Sequence, residues 1–363
     1  MNKNFWKEQA AKWKLCFLAP MDWYGDSAYR QTMRTIAPHV CLVSEFYSSD
    51  WLVHSKFLAD AVLPHQKIED PLVIQIFGKH PEMFAQAAKI ISKEKYNIAW
   101  IDVNMWCPAK KVVRSGHGSS LMINECTAFE IIKALDESTH LPITVKTRLS
   151  FDGWQDLIKF WKGLQKAWAR LLTIHWRTAK QAYTWVANHD PIYELQKHVE
   201  VPVIMNWDIM NFKMWIEKVK NLAGFMIWRW SFWNPWCFIS DVHNPDNIDD
   251  PEEKKKYSHL DPNNFVDGIY YPTLKEMLDI MDFHAKALVD TKWEKKWSLE
   301  IRKHLVQYLK HFPWVKVYRK RLVTTESYEN SKSIIAEIRE TFKDFLLRRP
   351  GLWEITKEDL GIE

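Results

Sequence analysis

Seven groups of residues along the first two thirds of the chain carry side chains able to bind, donate or accept: Pro20-Met21, Gln75, Asp102 with Asn104, Lys146 with Arg148, His175 with Arg177, Asn206 with Asp208, and Arg229. Lys146 stands in an otherwise apolar Ile-Thr-Val run, where an ammonium is costly to bury unless it meets an anionic partner. A lone histidine such as His175 is by itself as readily a satisfied hydrogen-bonding residue as a ligand. Cys107 sits in a polar loop between Asn104 and Pro108. The five cysteines (Cys16, Cys41, Cys107, Cys126, Cys237) are scattered, odd in number and free of any CxxC pair, so the expectation is free thiols, no disulfide framework and no metal site.

What must position these groups is a repeated βα unit. Short β-rich runs are predicted at Leu15–Ala19, Val40–Phe46, Leu72–Phe77, Ile98–Val103, Ile143–Arg148, Leu171–His175, Val201–Met205 and Gly224–Ile227. Helix-period stretches lie between them, among them Pro81–Lys95, Cys126–Ser138 and Pro191–His198. Eight such units over about 230 residues predict an α/β fold, a (β/α)8 TIM barrel, whose chemistry sits at the C-terminal ends of the strands. The seven groups follow those ends in order and would ring one mouth. The run from His243 to Pro272 is polar and turn-rich and reads as an exposed linker or insertion. Beyond it, Thr273–Val289, Leu299–His311 and Ser331–Leu347 carry helical spacing and predict a small all-α bundle. The expected division is a barrel over 1–242, a linker over 243–272 and a helical domain over 273–363.

The composition, 47% hydrophobic and 26% charged, is that of a globular protein. The most apolar stretch, Ala223 to Ile239, is broken by Arg229, Asn234 and Pro235, so no membrane span is expected. The N-terminus has no unbroken apolar core of the secretory kind, which puts the expected location in the cytoplasm. Charge is unevenly placed: Thr291 to Arg349 holds fifteen Lys/Arg against seven Asp/Glu, while the whole chain is only +5. A polyanion is the simplest partner for such an end.

The runs Ala19-Pro20-Met21, Gln75-Ile76-Phe77-Gly78, Ile101 to Val112 (IDVNMWCPAKKV), Thr144-Val145-Lys146-Thr147-Arg148, Ile174-His175-Trp176-Arg177-Thr178 and Asn206-Trp207-Asp208-Ile209 occur in the order seen in tRNA-dihydrouridine synthases. The sequence resembles that family across the whole barrel, and Arg302-Lys303-His304 with Tyr308 resembles its helical RNA-binding domain. The resemblance implies an FMN-dependent oxidoreductase that reduces the C5–C6 double bond of uridines in tRNA with NADPH, and a monomer. Cys107 then takes the role of general acid, protonating C5 while hydride from the reduced flavin reaches C6; a thiol, with a pKa of about 8.5, is mostly protonated at neutral pH yet able to give up its proton. Lys146 and His175 resemble the pair beside the flavin ring, Gln75 the amide at its pyrimidine edge, and Pro20 and Met21 the surface beneath it. Asn206, Asp208, Trp228 and Arg229 fall where the family grips phosphate and ribityl chain. Asn104, Lys110, Lys111, Arg148 and Arg177 are expected to face the substrate nucleotide. Arg302, Lys303, His304, Arg319, Lys320 and Arg321 are expected to meet the RNA backbone, although on charge alone both clusters are equally well solvated helix faces. The alternatives are another FMN barrel oxidoreductase acting on a free pyrimidine or enone, or a tRNA-binding protein without catalysis.

At many places where the family has glycine this chain has tryptophan. Trp106, Trp176, Trp207, Trp228, Trp230 and Trp233 are clear cases; Trp23, Trp51, Trp100, Trp168, Trp185, Trp215, Trp297 and Trp314 are similar. The chain has 10 glycines and 21 tryptophans, against about 25 glycines expected from average usage. Glycine serves in such loops because backbone must approach a cofactor closely or take φ > 0, so an indole there would collide with the ligand or force the loop open. One residue type replaced by one other is the signature of UGA codons that the source organism reads as glycine and that were translated as tryptophan, with Trp236 a genuine tryptophan.

Overall fold

The computed structural model describes residues 5–12, 14–153, 156–181, 190–206, 211–292, 294–310 and 315–349, with backbone alone at Lys12, Lys110, Lys111 and 294–298. Eight parallel strands form one sheet: β1 (Leu15–Leu18), β2 (Leu42–Ser48), β3 (Leu72–Phe77), β4 (Trp100–Met105), β5 (Ile143–Arg148), β6 (Leu171–His175), β7 (Val203–Asn206) and β8 (Gly224–Ile227). The β1 strand pairs with β8, Leu15 opposite Gly224. The sheet closes through a parallel bridge between Phe17 and Cys41, with Leu18 N–H donating to the Cys41 carbonyl at 3.0 Å and Cys41 N–H to that of Cys16 at 2.8 Å. The fold is therefore the (β/α)8 barrel that the repeated units predict. Four of the eight strands differ from the predicted bounds by one or two residues and four match them; β2 runs on to Ser48 past a register shift between Val43 and Phe46.

The strands are buried on both faces, as a parallel sheet covered by helices requires. Along each strand alternate side chains point inward. Leu15, Phe17, Val43, Val73, Trp100, Leu171, Ile204 and Met226 form the apolar interior, sealed near the strand starts by the helix Phe5–Lys12, whose Trp6 ring lies 4.3 Å from that of Trp100. One or two steps further along the same period stand Gln75, Asp102, Asn104, Lys146, His175 and Asn206, so the inward polar residues occupy the C-terminal end by register alone. The outer helices form for ordinary reasons. Pro81–Ile91 has proline at its first turn and buries Phe84, Ala87, Ala88 and Ile91 at i, i+3, i+4, i+7. Leu157–Lys166 is capped by the Asp156 side chain, which accepts from Lys159 N–H.

The chain divides into two compact units: one of Met1–Gly25, Val40–Ile209 and Met214–Trp228, and a second of Asp26–His39, Met210–Lys213 and Arg229–Glu363. The second thus begins earlier than the predicted boundary and takes in the helix Ser27–Ile36, which follows β1 in sequence. That helix packs on Leu274–Thr291, and its Tyr29 hydroxyl donates to the Ser231 carbonyl at 2.6 Å. Four helices, Leu274–Thr291, Glu294–Tyr308, Lys316–Val323 and Tyr328–Thr341, make up the expected bundle. The first starts with a capping box between Thr273 and Glu276.

The stretch 243–272 is not an exposed linker. It folds as short 3-10 turns, the helix Pro251–Lys256 and a small hairpin, β9 (Phe265–Val266) with β10 (Ile269–Tyr270). It buries His243, Tyr257, Leu260 and Tyr270. His243 stacks on His39 with centroids 4.1 Å apart, and Tyr257 Oη lies 3.1 Å from His39 Nδ1. Polar composition misled here because a few aromatic anchors suffice to hold a turn-rich segment down. No helix among the described residues is long and apolar enough to cross a membrane.

Candidate functional site

Within the barrel unit a continuous hydrogen-bond chain crosses the strand ends. Asp102 accepts from Gln75 Nε2 at 2.7 Å through one carboxylate oxygen and from the Thr144 hydroxyl at 2.5 Å through the other. The Gln75 carbonyl oxygen in turn accepts from Asn104 Nδ2 at 2.9 Å. Asn104 Oδ1 then accepts the backbone N–H groups of Trp106, at 3.0 Å, and Cys107, at 3.1 Å. Strand pairing explains the chain: Gln75 is opposite Asp102 and Asp102 opposite Thr144. Burial raises the Asp102 carboxyl to about 6 against the lowering pull of Thr144, Gln75 and Lys146. Asp102 and Thr144 carry no role assigned from sequence; the alternation i, i+2 with Asn104 was the available signal.

The thiol of Cys107 is buried, and that burial pushes its pKa up against the opposing effects of the Ala109 backbone, Arg148 and Lys146. The thiol is therefore in its proton-carrying form at neutral pH. Its carbonyl accepts from Ser119 N–H at 3.2 Å. Gly118, at φ +60, lies so close that a Cβ would stand 2.8 Å from that carbonyl, which makes Gly118 a supporting residue that no sequence motif singled out.

Lys146, Arg148, His175 and Arg177 are all buried. Burial first, then the neighbouring Arg148, drives Lys146 well below the ordinary lysine range, so an arriving anion would stabilise its charged form. Burial likewise keeps His175 neutral, reinforced by Arg148, Lys146 and Arg177. Its Nδ1 accepts the Arg177 N–H at 3.4 Å, which assigns the ring proton to Nε2. Arg148 donates to the Trp106 carbonyl from Nε and to the Thr178 carbonyl from Nη1, both at 3.0 Å. Asn206 donates to the Met226 carbonyl at 2.9 Å. Pro20 and Met21 are buried at the end of β1, and the Met21 carbonyl accepts from Tyr24 and Gly25.

The same mouth holds indoles. The Trp106 ring lies under the Lys146 side-chain nitrogen at 4.1 Å and 5.1 Å from the Arg148 guanidinium carbon. It meets His175 edge-on at 5.8 Å and Trp228 at 5.5 Å, and its own N–H, buried, finds no acceptor. Trp176 stacks on His175 and carries the Arg177 guanidinium 3.8 Å above its ring. Instead of forcing the loop open, Trp106 fills the mouth.

The structure thus brings Gln75, Asn104, Cys107, Lys146, Arg148, His175, Arg177, Asn206 and Trp228 together in the barrel unit. Asp208 and the side chains of Lys110 and Lys111 lie outside the described residues. Arg229 is exposed and belongs to the second unit. There, His304 is not a surface residue: it is 1% exposed, 4.6 Å from the His284 ring, with its Nδ1 accepting from the Trp233 indole. It faces inward on the Glu294–Tyr308 helix, whose period places it with Ile301, Leu305 and Tyr308, so the expectation of RNA contact fails for it. Arg302 and Lys303 are half-buried, and Arg302 is engaged by the Thr325 carbonyl at 2.7 Å. Arg319 is half-buried; Lys320 and Arg321 are exposed, the latter paired with Glu337 at 2.7 Å.

Fold and site together define an enzyme-type (β/α)8 barrel with its inward polar residues gathered at the strand C-termini. The profile of the family described as "Dihydrouridine synthase (Dus)" matches residues 17–346. Relatives include a probable tRNA-dihydrouridine synthase 1 of Synechocystis sp., 29% identical over 90% of this chain and 86% of that one. A probable tRNA-dihydrouridine synthase of Rickettsia conorii is 30% identical over 82% and 84%. The tRNA-dihydrouridine synthase B of Pseudomonas putida is 28% identical over 90% and 91%. The chain belongs to the dihydrouridine synthase family, a family of oxidoreductases.

Proposed function

We propose that this chain is a tRNA-dihydrouridine synthase, reducing the C5–C6 double bond of a uridine in tRNA, with FMN as cofactor and NADPH as reductant. The observation that carries the reading is Cys107: a thiol held protonated at the barrel mouth, on a loop tied by Asn104 to the amide chain of Gln75 and Asp102. Its part is to deliver one proton to uracil C5 as the double bond is reduced. Asn104 and Arg148 hold that loop by its backbone. The basic stretch Thr291–Arg349, Lys320 foremost, contributes cations for RNA phosphates. The cytoplasm is where such a substrate is met.

With tryptophan at 106 the mouth does not accept a flavin. Lys146, His175 and Gln75 make a donor set suited to an anionic ring, but the Trp106 indole already covers Lys146. That closed mouth is the observation favouring the second reading, a tRNA-binding protein without catalysis. The test is purification followed by absorbance and a tRNA assay. A yellow protein that forms dihydrouridine in tRNA, and loses that activity but not its colour on Cys107→Ala, supports the synthase. A colourless protein that still shifts tRNA supports the binding protein.

A further inference from the structure

Among the described residues six non-glycine residues have positive φ: Asn97, Asp267, Lys220 and three tryptophans, Trp23 (φ 68), Trp168 (φ 82) and Trp233 (φ 57). Asparagine and aspartate tolerate that region; an indole-bearing residue has no local hydrogen bond to offset the clash of its Cβ with the backbone. The sharpest case is Trp168. The helix Leu157–Lys166 ends at Ala167, after which Trp168 N–H donates to the Gln165 carbonyl and Ala169 N–H to that of Leu164, both at 3.0 Å. Those two bonds are the Schellman pattern, and they place Trp168 at the left-handed position where helices ordinarily carry glycine. Its side chain is 52% exposed, so burial does not explain its presence. Trp23, 74% exposed, sits in the turn that Tyr24 and Gly25 close onto the Met21 carbonyl. Trp233 does make one hydrogen bond, to His304, from an equally unfavourable backbone.

Elsewhere the same fold meets the same demand with glycine. Gly116, Gly118, Gly153 and Gly268 all have positive φ. A Cβ on Gly224 would stand 2.0 Å from the Leu15 carbonyl oxygen. Among the described residues the backbone thus enters the region that favours glycine at three positions that carry tryptophan, in a chain of 10 glycines and 21 tryptophans.

We infer that the working chain carries glycine at positions 23, 168 and 233, and by the same replacement at 106, 176 and 228, because its UGA codons are read as glycine. One reassigned codon accounts for one residue type standing in for one other at scattered sites, which independent substitutions would not produce. Trp236, buried in the second unit at negative φ outside any such turn, is a true tryptophan. In the barrel mouth the consequence is direct. Glycine at 106 removes the ring from beneath the Lys146 nitrogen, and glycine at 176 and 228 removes two further indoles of the mouth, leaving Lys146, His175 and Gln75 facing open space. This last consequence bears on the flavin reading above; the inference itself does not depend on it.

The experiment is to read the codons and to sequence by mass spectrometry the peptides of the protein purified from its own cells. UGA codons with glycine in the peptides at 23, 106, 168, 176, 228 and 233, and tryptophan from UGG at 236, are expected. UGG codons, or tryptophan in the native peptides at 168 and 233, overturn the inference. Two synthetic genes, one with the six tryptophans and one with six glycines, separate this from the function. The glycine form is expected to bind added FMN and the tryptophan form not to. If native peptides carry glycine while the glycine form binds no FMN, the codon reading stands and the flavin reading falls.

Discussion

Replacing Trp168 by glycine should leave the stability about unchanged, while replacing it by alanine should lower it. A residue with a Cβ in the left-handed region costs about 1–2 kcal/mol, which glycine avoids. Against that gain stand two losses. The Arg170 guanidinium lies 4.7 Å from the Trp168 ring, and at a half-exposed site this contact contributes about 0.5–1 kcal/mol. Glycine also gives the unfolded chain more freedom, offsetting about 0.5–1 kcal/mol. The gain and the two losses then offset each other to within about 0.5 kcal/mol, so Trp168→Gly is close to neutral. Trp168→Ala loses the same ring contact but keeps the backbone cost, so it should fall about 0.5–1 kcal/mol below the tryptophan form. The comparison that isolates the backbone is glycine against alanine, about 1 kcal/mol. Urea denaturation followed by circular dichroism, on the chain expressed with tryptophan at 168 and on the two variants, reads the order of midpoints. Glycine and tryptophan close together with alanine below both is the expected order; alanine equal to or above glycine would refute the claim that this turn demands glycine.

Cys107→Ala in the flavin-loaded form should leave flavin bound and reducible by NADPH while uridine reduction in tRNA falls by about 10² or more, the usual worth of a positioned acid; unchanged turnover removes Cys107 from that role. Asp102 has a folded pKa of about 6 against 3.8 for an aspartate in water. Because it is raised, its contribution is complete below pH 3.8 and is lost as pH rises through 6, about 3 kcal/mol in all. Asp102→Asn should flatten the fall in stability between about pH 4 and 7 measured by urea midpoints, and a variant with the wild-type slope would show that this carboxyl does not titrate as described. Neutralising Arg319, Lys320 and Arg321 together should weaken tRNA binding and reduce the slope of log K against log salt by about one to two units, less than three because Arg321 is already engaged by Glu337. An unchanged slope with unchanged affinity would make this a solvated face only.

The barrel was legible in the sequence because its signals are local. A β-rich run, a turn and a helix-period stretch announce themselves within about 20 residues, and the order of strands in a (β/α)8 barrel follows the order of the chain. The seven polar groups were legible for the same reason, since alternation along a strand decides which residues share a face. So were the misplaced tryptophans, by type and number. What only the tertiary structure decided are matters of partner choice between distant segments. Ser27–Ile36, in sequence the barrel's first helix, packs with Leu274–Thr291, some 240 residues away. The polar run 243–272 folds because His243 and Tyr257 find His39. His304 is buried because its neighbours at helical spacing face a core that includes His284. The chain from Thr144 through Asp102, Gln75 and Asn104 to Cys107 joins residues up to 42 positions apart. Whether Trp106 would open its loop or fill the mouth depended on what the neighbouring strand sets against its ring, the Lys146 nitrogen at 4.1 Å and the Arg148 guanidinium at 5.1 Å. Such pairings are set by packing and electrostatics in three dimensions, and no periodicity along the chain encodes them.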